Sequence, residues 1–201
     1  MKKLVLLAVL ALALPTAVFA SSNIDYTNGG GTLSGSKSGL SLGGSALIAV
    51  NGSGGLITGT DLGSVSFETG ALTSGSLKQG GTFGGGGWFT ISGNGTNGVP
   101  AGTLFSGSFS GPVTWTMITL ANGTHNYTLT GALTGTTTSG YSVGVTVQLT
   151  VNTGKGFFNG CTRISSGDTN VNVVVPEPGS LSLLGTGLIA LGGTIRRKLK
   201  V

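Results

Sequence analysis

From Tyr141 to Val151 the chain alternates without a break. Tyr141, Val143, Val145, Val147, Leu149 and Val151 fall on one parity, and Ser142, Gly144, Thr146, Gln148 and Thr150 on the other. A period of two held this long is the signature of a β-strand with one face in a core and one in water. Shorter stretches repeat it. Val65 and Phe67 alternate with Ser64 and Ser66, and Val113, Trp115 and Met117 with Thr114 and Thr116. Tyr127, Leu129 and Leu133 share a phase across Gly131, and Val171, Val173 and Val175 line one face. Ser45 to Val50 and Trp88 to Ile91 are compact apolar runs suited to strands. Asn51-Gly52, Asn94-Gly95 and Asn122-Gly123 supply turn signals between them. No segment of residues 21–174 has helical periodicity. The pattern predicts an all-β domain, an antiparallel β-sandwich or barrel-like fold. Residues 21–44, rich in Gly, Ser and Thr, read as a loose leading segment or short edge strands.

Composition supports a packed domain. Glycine supplies 40 residues and charged residues only 7%, yet 38% of the chain is hydrophobic. A disordered chain shows the opposite balance, low hydrophobicity with high net charge. The net charge of +5 sits at the ends. Between Ser21 and Val175 the cations Lys37, Lys78, Lys155 and Arg163 are matched by Asp25, Asp61, Glu68 and Asp168, so that region is neutral. It lacks the basic stripe that nucleic-acid binding requires. The one cysteine, Cys161, has no partner within the chain and reads as a small, half-buried apolar residue.

Both ends carry targeting patterns. Met1-Lys2-Lys3 precedes an apolar run, Leu4 to Leu14, that Pro15 breaks. Val18-Phe19-Ala20 then places small residues where a signal peptidase reads them, so cleavage is expected between Ala20 and Ser21. The run is too short for a membrane span, which needs about 20 apolar residues. At the other end, Val175-Pro176-Glu177-Pro178 is followed by the apolar run Leu181 to Ile195 and then by Arg196, Arg197, Lys198 and Lys200. The two prolines fix φ and hold Glu177 in an extended, accessible segment. As a helix, the run is roughly 22 Å long, short of a hydrocarbon core of about 30 Å. The basic cluster after it can snorkel to headgroups, stop transfer and favour a cytoplasmic C-terminus.

This order closely resembles the PEP-CTERM sorting signal of Gram-negative bacteria. The resemblance rests on Val175-Pro176-Glu177-Pro178, on the apolar run with Gly185-Thr186-Gly187, and on Arg196-Arg197-Lys198. It implies recognition by an exosortase, passage through the inner membrane, transient anchoring, cleavage near the motif, and delivery to the cell surface or medium. It also implies a setting of exopolysaccharide and biofilm. Tails of this pattern also go by the name of an ice-binding-protein C-terminal domain, a label that concerns the tail alone. Three regions are expected: a signal peptide over 1–20, a β domain over 21–174, and a sorting tail over 175–201. A signal helix and a short C-terminal transmembrane helix would flank the β domain.

Patterns for catalysis are weak against so much glycine. Gly39-Leu40-Ser41-Leu42-Gly43 and Gly140-Tyr141-Ser142-Val143-Gly144 match a nucleophile elbow, but Ser142 lies inside the best strand rather than on a strand-to-helix turn. His125, the only histidine, reads as a solvated residue beside a turn. Ser34-Gly35-Ser36-Lys37 has no helix around it. Gly93 to Gly98 matches a phosphate-cradle spacing but leads into Val99-Pro100, which makes it a turn. Asp168, Asn170 and Asn172 begin like a calcium loop, yet alternate with valines as a strand does. Zinc would have too few ligands. Asp61 and Glu68 are the carboxylates considered as a hydrolytic pair. Another repeated feature, Thr69-Gly70-Ala71-Leu72-Thr73 and Thr130-Gly131-Ala132-Leu133-Thr134, suggests two similar strand–turn units.

One surface stands out. Thr114, Thr116, Thr128, Thr130, Thr146, Gln148 and Thr150 would form polar stripes on neighbouring strands, a face able to meet sugar chains or ice. The expectation is therefore a non-enzymatic, exported surface or matrix protein with no cofactor. A polysaccharide- or ice-binding module is the alternative, and a secreted hydrolase the least favoured reading.

Overall fold

The structure, a computed structural model, describes residues 21–138 and 140–174. Strand is the dominant secondary structure of these residues, none of them is helical, and every strand pairing is antiparallel. The segments expected to form a signal helix and a C-terminal transmembrane helix, and with them the sorting motif, lie outside the described residues.

Eight strands close a ring. They are β1 (Ser21–Gly29), β3 (Gly39–Gly52), β4 (Gly55–Glu68), β7 (Gly86–Asn94), β8 (Ala101–Phe109), β10 (His125–Thr137), β11 (Gly140–Asn152) and β13 (Ser166–Val174). Each pairs with the next in this series, and β13 pairs with β1, where Ser21 lies opposite Val174. The result is an up-and-down barrel, in which closure removes the open sheet edges that invite aggregation. Apolar residues point inward and polar ones outward. A membrane-spanning barrel needs the inverse, an apolar outward band.

The remaining strands are excursions from one end of this barrel. β2 (Thr32–Ser36) lies between β1 and β3. β5 (Leu72–Ser76) and β6 (Gly80–Phe83) lie between β4 and β7, β9 (Val113–Thr119) between β8 and β10, and β12 (Cys161–Arg163) between β11 and β13. The opposite end has only short connections and the two strand termini. β10 is long enough to change partners: residues 125–130 pair β9, and residues 133–137 pair β8. The wall therefore forks at Gly131 and Ala132.

Two aromatic groups fill the interior. Phe67, Phe89, Phe105 and Phe109 stack or meet edge to face, with ring centroids 5.7–6.1 Å apart. Trp115, Tyr127 and Phe158 make the second group, with Trp115 and Tyr127 stacked at 5.0 Å. Their polar atoms are matched. The Trp115 indole N–H donates to the Leu77 carbonyl (3.0 Å), and the Tyr127 hydroxyl donates to the Lys78 carbonyl (2.6 Å) while accepting from the Phe158 N–H (3.0 Å). These bonds fasten the β5–β6 turn and the loop after β11 across the core. One buried hydroxyl, Thr169 Oγ1, has no hydrogen-bond partner among the described residues.

Several expectations are corrected. Residues 21–44 are not a loose segment: β1 pairs β13 over residues 21–28 and β3 over residues 25–29, because it closes the barrel, and the short strand β2 follows it. Alternation does not reveal β5, β6, β8 or β12: the first three are rich in glycine and serine, β12 is only 3 residues long, and their pairing comes from their neighbours. The alternation of residues 141–151 spans two registers. Pairing slips between Ser142 and Val145, at Gly144 with φ +75°, so Ser142 stands opposite Val173. Asn51-Gly52 ends β3 rather than forming the turn. Cys161 is exposed, since β12 pairs only β2 and its outward parity faces water. The two Thr-Gly-Ala-Leu-Thr segments differ. Thr69 is buried in the β4–β5 connection, accepting from the Leu40 N–H (2.9 Å) and donating to the Gly70 carbonyl (2.9 Å), whereas Thr130 is exposed within β10.

Candidate functional site

The polar stripes meet in register. One row crosses the wall as Thr114, Thr130, Gln148, Asp168 and Thr27, on β9, β10, β11, β13 and β1. Beside it run Ala132, Thr146, Asn170 and Asp25, and on the other side Thr116, Thr128, Thr150 and Ser166. With strands about 4.8 Å apart, five of them make a face roughly 19 Å wide. β-branched threonine suits such positions, since its stiff side chain packs well on a pleated surface.

This face is concave. An open groove of about 530 Å³ lies at the fork of the wall, where Thr114, Thr130, Thr146, Gln148 and Asn170 line it with Pro112 at its rim. Two carboxylates, Asp25 and Asp168, also line it. They sit on adjacent strands at diagonal positions, since Asp25 pairs Asn170 and Asp168 pairs Thr27. Partial burial, and then the negative charge of Asp168, push the Asp25 carboxyl above the usual carboxylate range. The groove thus offers hydroxyl, amide and carboxylate groups in one place. It suits a hydrated, hydroxyl-bearing ligand. Of its residues, sequence reading singled out the threonines, Gln148 and the Asp168–Asn170 strand. It did not single out Asp25, whose place depends on the barrel closing through β1.

The other candidates scatter. Asp61 and Glu68 are seven residues apart on one strand, roughly 20 Å at strand rise, and do not converge. The Asp61 carbonyl accepts from Asn94 Nδ2, while Glu68 Oε2 accepts from the Trp88 indole N–H. His125 is buried rather than solvated: its ring stacks on Phe157 at 4.4 Å, and Nδ1 lies 3.0 Å from Thr119 Oγ1, so no serine is its partner. Ser41 and Ser34 lie within strands, and Gly93 to Gly98 leads through a turn into Val99. Asp168, Asn170 and Asn172 run along β13 as a strand. Among the described residues no group of three or more His, Cys, Asp or Glu side chains is placed to hold a metal ion.

Ser21 is the first residue of β1. Ala20, Val175, Pro176, Glu177, Pro178, Arg196, Arg197, Lys198 and Lys200 lie outside the described residues. No curated protein and no solved structure matches the chain. A family model does match its C-terminal segment, residues 174–198, as the PEP-CTERM protein-sorting motif. This chain therefore carries a PEP-CTERM sorting motif and is an exported protein directed to an exosortase.

Proposed function

We propose that the protein is delivered to the cell surface or extracellular matrix, where its β domain acts without catalysis by holding a hydrated polysaccharide. Signal peptidase releases Ser21, the tail holds the chain transiently at the inner membrane, and exosortase cleaves near Pro176-Glu177-Pro178. The observation that carries the binding role is the register of Thr114, Thr130, Gln148 and Asp168 across one open groove. Hydroxyl and amide groups at strand spacing can exchange hydrogen bonds with a chain of sugar hydroxyls. The groove's concavity and its two carboxylates favour a flexible hydrated polymer over the flat lattice of ice.

The test is binding of exported protein to the extracellular polysaccharide of its own producing cells, measured by co-sedimentation. Thr130→Lys, which puts a long cation on the groove floor, should reduce retention about tenfold, equivalent to about 1.4 kcal/mol. Equal retention of the variant and the unaltered protein would remove the groove from this role. Thermal hysteresis without polysaccharide binding would instead favour ice.

A further inference from the structure

The opposite wall of the barrel carries a second feature that the groove does not account for. Across β7, β4, β3, β2 and β12, the residues Trp88, Glu68, Ser41, Ser34 and Cys161 stand opposite one another in a single row. Trp88 is 45% exposed, whereas the other tryptophan, Trp115, is 1% exposed. Single exposed apolar residues are ordinary. This one is oriented: its indole N–H donates to Glu68 Oε2 at 3.2 Å. Glu68 in turn lines a recess of about 170 Å³ whose other polar walls are Ser34, Ser36, Ser38 and Ser41. At about 30 Å³ per water, the recess holds five or six waters, the scale of one sugar ring rather than a chain.

We infer that Trp88, Glu68 and the serine recess form a binding site for a short neutral saccharide, one unit in the recess and its neighbour on the Trp88 indole, which stands beside Glu68 outside the recess. An indole face offers a flat apolar surface to the C–H side of a pyranose, and a tryptophan fixed by a hydrogen bond loses less freedom on binding. Glu68 has acceptor capacity beyond its bond to Trp88, and serine hydroxyls both donate and accept. A polyol needs this mixture of donors and acceptors. A carboxylate at the recess selects against acidic sugars, while Lys37, between Ser36 and Ser38, does not line it. The site is independent of the groove, on other strands and with other residues.

Because Trp115 is buried, iodide quenching of the full chain's fluorescence reports on Trp88. The probes are maltohexaose, cellohexaose and chitohexaose, with an oligomer of hexuronic acid as the acidic arm. At least one neutral probe should protect Trp88 from iodide at concentrations up to about 10 mM. In calorimetry on protein whose groove is already blocked by Thr130→Lys, Trp88→Ala should weaken the remaining binding about tenfold or more and Glu68→Gln several-fold. Both side chains are at the surface, so unchanged melting of each variant keeps the comparison valid. Protection by none of the neutral probes overturns the site, and so does binding that survives both Trp88→Ala and Glu68→Gln. Equal binding of the acidic oligomer overturns the neutral specificity.

Discussion

The most informative single residues are polar groups whose surroundings the barrel decides. Asp25 titrates above the normal carboxylate range because it is partly buried and faces Asp168. A raised carboxyl pKa means that the folded state binds the proton more tightly than the unfolded chain. Its contribution is therefore fully present below the unfolded value, and is lost as pH rises through the folded one. Asp25→Asn should thus stabilise the domain at neutral pH, and the gain should vanish as pH falls through the carboxylate range. The site is solvent-screened, so the gain should not exceed about 0.5 kcal/mol. Urea melts of both proteins across pH check this, and a gain that grows toward acid pH contradicts it. Thr169 is the complementary case. Its hydroxyl is buried opposite Tyr26 with no partner among the described residues. Thr169→Val keeps the shape and removes a desolvated group, and should raise stability by about 1 kcal/mol. Tyr127→Phe should do the reverse. It removes a donor to Lys78 and an acceptor for Phe158, and should cost about 1–3 kcal/mol in the same melts.

Among the elements, the pairing of β8 with β10 is where the barrel closes against its own fork. Gly107 and Gly135 stand opposite each other there. A Cβ on Gly135 would run into the Ser106 carbonyl and come 2.6 Å from Gly107 Cα. The two backbones approach too closely for any side chain. Gly135→Ala should destabilise the domain by about 1–3 kcal/mol or more through overpacking. It should also raise hydrogen exchange of the 105–109 and 133–137 amides before the rest of the barrel, and uniform loss of protection would argue against a local seam. The sequence makes some elements plain and hides others. β9, β10 and most of β11 are legible because inward Val, Leu and aromatic residues alternate with Thr. β5 and β6 are not, because Gly and Ser carry little pattern and their pairing follows from β9 beside them. The candidate groove was half legible in the same way. Its threonines announce themselves, while Asp25 joins them only through β1.

For the whole molecule, the β domain and the sorting tail answer different questions. The tail's match to the PEP-CTERM motif assigns export and exosortase handling. Replacing Pro176, Glu177 and Pro178 with alanine should leave the chain uncut at the inner membrane, seen as a larger species in membrane fractions. Normal processing of that variant would count against the motif's role. The β domain should melt unchanged in it, since β13 ends at Val174, before the motif.

The sequence by itself determined an all-β, antiparallel, neutral domain and its sorting signal. Alternation, turn residues, charge placement and a short linear motif are local properties, readable along the chain. The tertiary structure decided the barrel, the burial of His125, the exposure of Cys161, and the meeting of Asp25 with Asp168. Each of these depends on which strands become neighbours. That choice comes from closure of β13 onto β1 and from partner changes along β10 and β3, contacts between residues far apart in the chain.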